Sequence, residues 1–200
     1  ELGTVYSREE LQALRAACGQ LGLYLYCDGA RLGSALTTAE AGLDFAACAA
    51  LCDAFTIGGT KNGLLFGEAL VITNPALQPG FRHCMKRQGA ILAKGRLLGV
   101  QFSALLEKGL YLELAAHANA LARSLTAGLR TLGVPLLVDS PSNQVFPILP
   151  DAVVAALAED FTFEVQQPMG DGRTCIRLVT SWASEQDHVE EFLKRLEALL

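Results

Sequence analysis

The chain has 200 residues, 51% of them hydrophobic and 18% charged, with 16 Lys and Arg against 21 Asp and Glu for a formal net charge of −5. Scattered basic residues on an acidic background give no electrostatic footprint for nucleic acid or an anionic membrane surface, and the apolar content suffices for a sizeable core in one large domain or a domain and a half. No apolar run reaches the roughly 18 to 20 residues that span a bilayer, and no basic segment leads an apolar run at the N-terminus, so the chain reads as soluble, untargeted and cytoplasmic.

The chain opens at Glu1 without an initiator Met, and Gly3-Thr4-Val5-Tyr6 reads as the tail of a loop or strand whose beginning is absent, which predicts a fragment or a processed piece. Ser7-Arg8-Glu9-Glu10 carries the S-x-x-E capping-box pattern ahead of Leu11, Leu14, Ala17 and Cys18 at helical spacing, closed by Gly19 and Gly22. Leu23 to Cys27 is then a short, continuously apolar run ending in Asp28-Gly29-Ala30-Arg31, as a buried parallel strand enters a functional loop. The same logic repeats with a helix over Asp44 to Asp53 and a strand over Ala54 to Ile57, running into Gly58-Gly59-Thr60-Lys61-Asn62-Gly63, and a third strand covers Glu68 to Thr73. Alternating helices and strands predict a mostly parallel α/β sheet, with ligands bound beyond the strands' carboxyl ends, where Asp28 and Lys61 share one crevice.

From Phe81 to about Leu106 the periodicity predicts one long helix, and from Leu110 to about Leu132 another. Beyond them come strands near Val134–Val138, Gln144–Leu149, Phe161–Gln166 and Cys175–Thr180, and helices near Asp151–Ala158 and Ser184–Leu199, the content of a small α+β domain.

Six cysteines, Cys18, Cys27, Cys48, Cys52, Cys84 and Cys175, lie in apolar segments of a chain too long to need cross-linking, and read as reduced thiols. Cys48 and Cys52 are spaced to share a metal, but no histidine or further cysteine stands near them to complete a tetrahedral set, which favours their reading as small core hydrophobes.

An Asp ending one buried strand and a Gly-flanked Lys 33 residues later form a pair with a specific use. Pyridoxal phosphate (PLP) needs a lysine amine for its aldehyde and a carboxylate that keeps its pyridine nitrogen protonated. Each residue also has an ordinary alternative: Asp28 as a turn former and Lys61 as a solvated amine. The loop is no Walker A phosphate cradle, which requires Gly before the Lys and Ser or Thr after it, where this chain has Thr60 and Asn62.

Tyr24-Leu25-Tyr26-Cys27-Asp28-Gly29-Ala30-Arg31-Leu32, taken with Ile57-Gly58-Gly59-Thr60-Lys61, resembles the low-specificity L-threonine aldolases of the aromatic amino acid β-eliminating lyase/threonine aldolase family, and the closing Ile176-Arg177-Leu178-Val179-Thr180-Ser181-Trp182 resembles that family's small-domain signature. The resemblance implies an α/β, aspartate-aminotransferase-like fold (fold type I). Residues 1–78 would be the C-terminal part of the large parallel-sheet PLP-binding domain, and 79–200 the connecting helices and small α+β domain. It further implies that Lys61 carries the cofactor, that Asp28 pairs with the pyridine nitrogen, and that Arg31 and Arg177 hold the substrate carboxylate, Arg31 also lying at the cofactor. Lys94, or Arg96 beside it, would approach the cofactor phosphate. His83, His117 and His188 match no family site.

The activity implied for the full-length protein is PLP-dependent retro-aldol cleavage of L-threonine or L-allo-threonine to glycine and an aldehyde, in a homodimer or homotetramer acting on a small amino acid. The family's ring-stacking histidine and glycine-rich phosphate turn belong to sequence before Glu1, so the resemblance implies a piece that is weak or inactive alone. Two alternatives stand beside it: another fold type I reaction (β-elimination, dehydration or transamination), and a non-catalytic fragment or dimerisation module.

Overall fold

The computed structural model describes residues 2–200, so the expectation of a truncated opening, which turns on Glu1, lies outside the described residues. The chain forms two compact units, one of Tyr6–Leu114 and one of Ala115–Leu200 together with the N-terminal residues up to Val5.

The Tyr6–Leu114 unit begins with α1 (Arg8–Gln20). Its expected capping box is present: the Glu10 N–H donates to Ser7 Oγ at 3.2 Å and the Ser7 N–H to Glu10 Oε2 at 2.8 Å. Gly22, at φ 67°, turns the chain out of the helix toward β1 (Tyr26–Cys27). Two short helices follow, α2 (Leu32–Leu36) and α3 (Phe45–Leu51), the latter capped by the Asp44 carboxylate, which accepts the Ala47 N–H at 2.7 Å. β2 (Ala54–Gly58) is buried along its whole length and lies between β1 and β3 (Glu68–Ile72).

β1 and β2 are parallel, with Tyr26 opposite Ala54 and Cys27 opposite Phe55. β3 departs from the mostly parallel expectation and runs antiparallel to β2. Only residues 59–67 separate the two strands, too few for the dozen or more that a parallel crossover requires.

Asp53 fastens the amino ends of β1 and β2 to the carboxyl end of the antiparallel β3. Its carboxylate accepts the Leu25 N–H at 2.7 Å and Arg15 Nη1 at 2.5 Å through Oδ2, and Asn74 Nδ2 at 2.7 Å through Oδ1. Against the sheet pack Leu11, Leu32, Cys48, Cys52, Phe55, Ile57, Leu64, Phe102, Leu105 and Tyr111, each large apolar side chain contributing about 1.5–3 kcal/mol on burial.

The long helix expected from Phe81 to Leu106 is instead α4 (Phe81–Arg87) and α5 (Arg96–Glu107). Gly89, at φ 71°, takes the left-handed conformation that ends α4, and the Ala90 N–H reaches back to the Met85 carbonyl at 2.8 Å. α6 (Leu110–Thr131) starts after Gly109, at φ 75°, as the periodicity predicts. Among the described residues no helix is long and apolar enough to cross a membrane.

The other unit contains most of α6, then β4 (Gln144–Val145), β5 (Ile148–Pro150), α7 (Asp151–Leu157), β6 (Glu164–Pro168), β7 (Arg173–Val179) and α8 (Gln186–Glu197). β7 pairs antiparallel with β4, β5 and β6. The run Gln144–Leu149 is divided at Pro147, which has no N–H to give a ladder. Val134–Val138 contributes only the isolated bridge between Leu136 and Pro147. The core is Leu121, Leu125, Leu129, Val145, Leu149, Leu157, Ile176, Phe192 and Leu196 with their neighbours.

Candidate active site

The carboxyl ends of the parallel pair β1 and β2 are joined by two hydrogen bonds. The Gly29 N–H donates to the buried Thr56 hydroxyl at 2.8 Å, and the Gly58 N–H to the Gly29 carbonyl at 2.9 Å. The approach leaves no room for side chains: a Cβ on Gly29 would stand 1.8 Å from the Thr56 carbonyl oxygen, and one on Gly58 2.2 Å from that of Ala30. Glycine is required here by contact, since neither residue has positive φ. The loops bearing Asp28 and Lys61 therefore leave the sheet at one edge.

Asp28 is exposed, and its Oδ1 accepts the Ala30 N–H at 3.1 Å. The carboxylate thus forms the turn that the D-G-A sequence suggested while standing at the strand's carboxyl end. Arg31, half-buried, precedes α2, whose residues Leu32, Gly33 and Ser34 are buried. Its position one short turn beyond Asp28 comes from the same loop.

Lys61 is the middle residue of a single 3-10 turn, Thr60–Asn62, set between Gly59 and Gly63, the latter at φ 105°. Its neighbour Asn62 is buried and donates through Nδ2 to the Tyr111 carbonyl at 2.6 Å. The backbone is thereby held on both sides while the Lys61 side chain is exposed. Among the described residues neither Asp28 nor Lys61 enters an ion pair.

Tyr111, buried in the first turn of α6, ties the two loops a second time. Its hydroxyl donates to the Gly58 carbonyl at 2.9 Å and accepts the Gly33 N–H at 3.2 Å. Burial pushes the phenol up to about 12, so it remains a protonated donor at neutral pH. Phe45 packs beside it, with ring centroids 5.9 Å apart.

Lys94 lies elsewhere in this unit, exposed in the turn before α5 and not within a long helix as expected. Arg177 belongs to the other unit, on β7 opposite Glu164 of β6. Its Nη2 pairs with the Glu164 carboxylate, while its Nε is buried without a hydrogen-bond partner among the described residues. The side chain is 23% exposed.

Thr56, Asn62 and Tyr111 escaped the sequence reading. Thr56 looks like any β-branched strand residue, and Tyr111 disappears into the apolar repeat of its helix. Asn62, a polar residue between Lys61 and Gly63, was the one available signal.

Solved structures share the architecture far beyond this sequence. Aspartate aminotransferase from Thermus thermophilus matches 99% of this chain with 54% of its own, at a TM-score of 0.68 and 18% identity. This is the fold of the fold type I PLP-dependent enzymes. The family model for β-eliminating lyases matches residues 1–175, and the chain belongs to that family. A low specificity L-threonine aldolase from a Pseudomonas species is 34% identical over 214 residues, covering all of this chain. The structure of Leishmania major threonine aldolase matches all of it at 47% identity with a TM-score of 0.97. The chain spans 57% of the length of the Pseudomonas relative and 58% of the Leishmania chain.

Proposed function

We propose that this chain is the cofactor-carrying part of a PLP-dependent carbon–carbon lyase that cleaves β-hydroxy-α-amino acids, L-threonine and L-allo-threonine first among them, to glycine and an aldehyde. The reading rests above all on one observation: in a member of this family, the loops of Asp28 and Lys61 leave the sheet at the same edge and are locked together through Gly29, Thr56 and Gly58. The residues fit the cofactor. An exposed amine that enters no ion pair among the described residues and an exposed carboxylate are the donor set it needs.

When bound, PLP supplies an aldehyde that condenses with amines and a protonated ring that draws electrons from the bonds at the substrate Cα. Lys61 is the amine that anchors it, and Asp28 holds the proton at the pyridine nitrogen. Arg31 and Arg177 hold the substrate carboxylate through the planar fork that suits a two-oxygen anion, which fixes the orientation of the scissile Cα–Cβ bond. The buried Nε of Arg177, which has no hydrogen-bond partner among the described residues, supports that assignment, and Lys94 is the candidate for the cofactor phosphate. In the overall reaction the β-hydroxyl loses its proton as the Cα–Cβ bond breaks, and Cα regains a proton to give glycine. Residues 1–78 then form the C-terminal part of the PLP-binding domain and 79–200 the connector and small domain. The same reading makes the protein a cytoplasmic homodimer or homotetramer. It is supported by free cysteines throughout the described residues and by exposed Leu65, Phe66, Leu97 and Val100.

The family's own description favours one second reading, β-elimination on the same scaffold. Borohydride reduction of the protein with PLP, followed by peptide mapping, tests the first reading: a label on Lys61 supports it, and a label absent or on another lysine overturns it. Products separate the reactions, with glycine and aldehyde expected of the lyase proposed and ammonia with a keto acid expected of the alternative.

A further inference from the structure

Glu164 heads β6, and Arg177 stands directly opposite it on β7. Among the described strands β6 pairs with β7 alone, which makes it an edge strand, and its register shifts between Val165 and Gln167, just beyond Glu164. An irregularity of this kind at a sheet edge re-aims the side chains beside it and loosens the strand from a regular ladder.

The two side chains are unequally placed. Arg177 is 23% exposed and Glu164 73%, so the carboxylate meets a sheltered guanidinium from the solvent side. It does so at Nη2, with one oxygen. A guanidinium grips a carboxylate with two parallel N–H bonds either through Nη1 and Nη2 or through Nε and Nη2. Nη2 belongs to both pairs, so Glu164 engages the one nitrogen that every two-point carboxylate needs. Nε, the other donor of the second pair, is buried with no hydrogen-bond partner among the described residues. Glu164 therefore holds the place of an anion without completing the fork.

We propose that Glu164 is a displaceable internal competitor at Arg177, occupying the guanidinium until the carboxylate of the amino acid takes its place. This deepens the function proposed above and rests on its assignment of Arg177 to that carboxylate. The exchange leaves no charge stranded: the Glu164 side chain, already exposed on an edge strand, returns to water, while the arriving anion keeps Arg177 paired and gives Nε an acceptor. An ion pair with so exposed a member is weak, and the competition therefore costs the substrate about twofold to fivefold in affinity without preventing binding. An amine that lacks a carboxylate has nothing to exchange for Glu164 and leaves the pair intact.

The test is an absorbance titration of the PLP-loaded protein with glycine, which has no Cα–Cβ bond to break, and with ethanolamine, which has the amine but no carboxylate. Glu164→Gln and Glu164→Ala should each bind glycine about twofold to fivefold more tightly than the wild type, and ethanolamine should bind all three alike. In an Arg177→Gln background the gain from Glu164→Gln should vanish. Glycine binding that is unchanged in the Glu164 variants would overturn the proposal, and weaker binding would overturn it by making Glu164 a support that positions Arg177. Glycine binding that Arg177→Gln leaves untouched would remove Arg177 from the carboxylate site, and the proposal with it. A wild type whose absorbance answers to neither amine would overturn the PLP reading itself.

Discussion

The Tyr111 hydroxyl donates a 2.9 Å hydrogen bond to the carbonyl of Gly58, three residues before Lys61. The same oxygen accepts the N–H of Gly33, two residues after Arg31, so a single phenol fixes the spacing between the lysine loop and the arginine loop. Tyr111→Phe leaves both backbone groups buried without this partner while keeping the ring against Phe45. It should lower stability by about 1–3 kcal/mol, read as a lower urea midpoint at unchanged slope. In the cofactor-loaded protein, binding at Lys61 should weaken alongside.

Gly29 and Gly58 have no space for a methyl group, and the atoms in the way are backbone oxygens that cannot swing aside. Gly29→Ala and Gly58→Ala should each separate the two loops or prevent folding. The expected outcome is loss of soluble protein, or folded protein that no longer takes a borohydride label on Lys61. Gly42→Ala, with nothing within 4 Å of the added carbon, is the control, costing only the strain of its positive φ.

Acid should unfold the Tyr6–Leu114 unit through Asp53. The Leu25 N–H, Asn74 and Arg15 hold its carboxyl below the usual range. The folded state thus binds a proton less readily than the unfolded state, whose Asp titrates near about 3.9. The stabilisation is complete above that pH and is lost as pH falls through the lower folded value. Asp53→Asn should lower the urea midpoint at neutral pH and flatten its fall between about pH 5 and 2.

Arg177 and Glu164 should separate when mutated singly. Glu164→Gln removes a partner whose side chain is 73% exposed and should change stability by less than about 1 kcal/mol. Arg177→Gln, in the cofactor-loaded protein, should raise KM for the amino acid with PLP binding unchanged. Loss of PLP binding by Arg177→Gln would instead assign the residue to the cofactor.

Features encoded by neighbours in sequence were the legible ones. The Ser7–Glu10 box and the apolar run into Lys61 depend on residues a few positions apart, and the structure has them where the pattern put them; of the buried strand expected over Leu23 to Cys27 only Tyr26–Cys27 forms, and Leu23, Tyr24 and Tyr26 are exposed. The break at Gly89 was missed because Phe81 to Leu106 keeps its apolar period across the turn, although Gln88-Gly89 offered a helix-ending signal. The antiparallel course of β3 was readable in principle from the short span after Gly58, a matter of chain length and not of residue type. The bridge by Tyr111 was not readable, because it joins positions 78 and 53 residues away, and nothing local marks a tyrosine as the one that will meet them.

The order β1-β2-β3 leaves β1 outermost, and Leu21, Leu23, Tyr24 and Tyr26 on or beside it are all more than half exposed. A two-residue strand with one row of backbone donors and acceptors facing water and bare aromatic rings along it is adhesive, ready to take another strand from any chain that offers one. Concentrated solutions of the isolated polypeptide should therefore cluster by adding strands at this margin, and a lysine in place of Tyr24 or Tyr26 should keep the molecules apart.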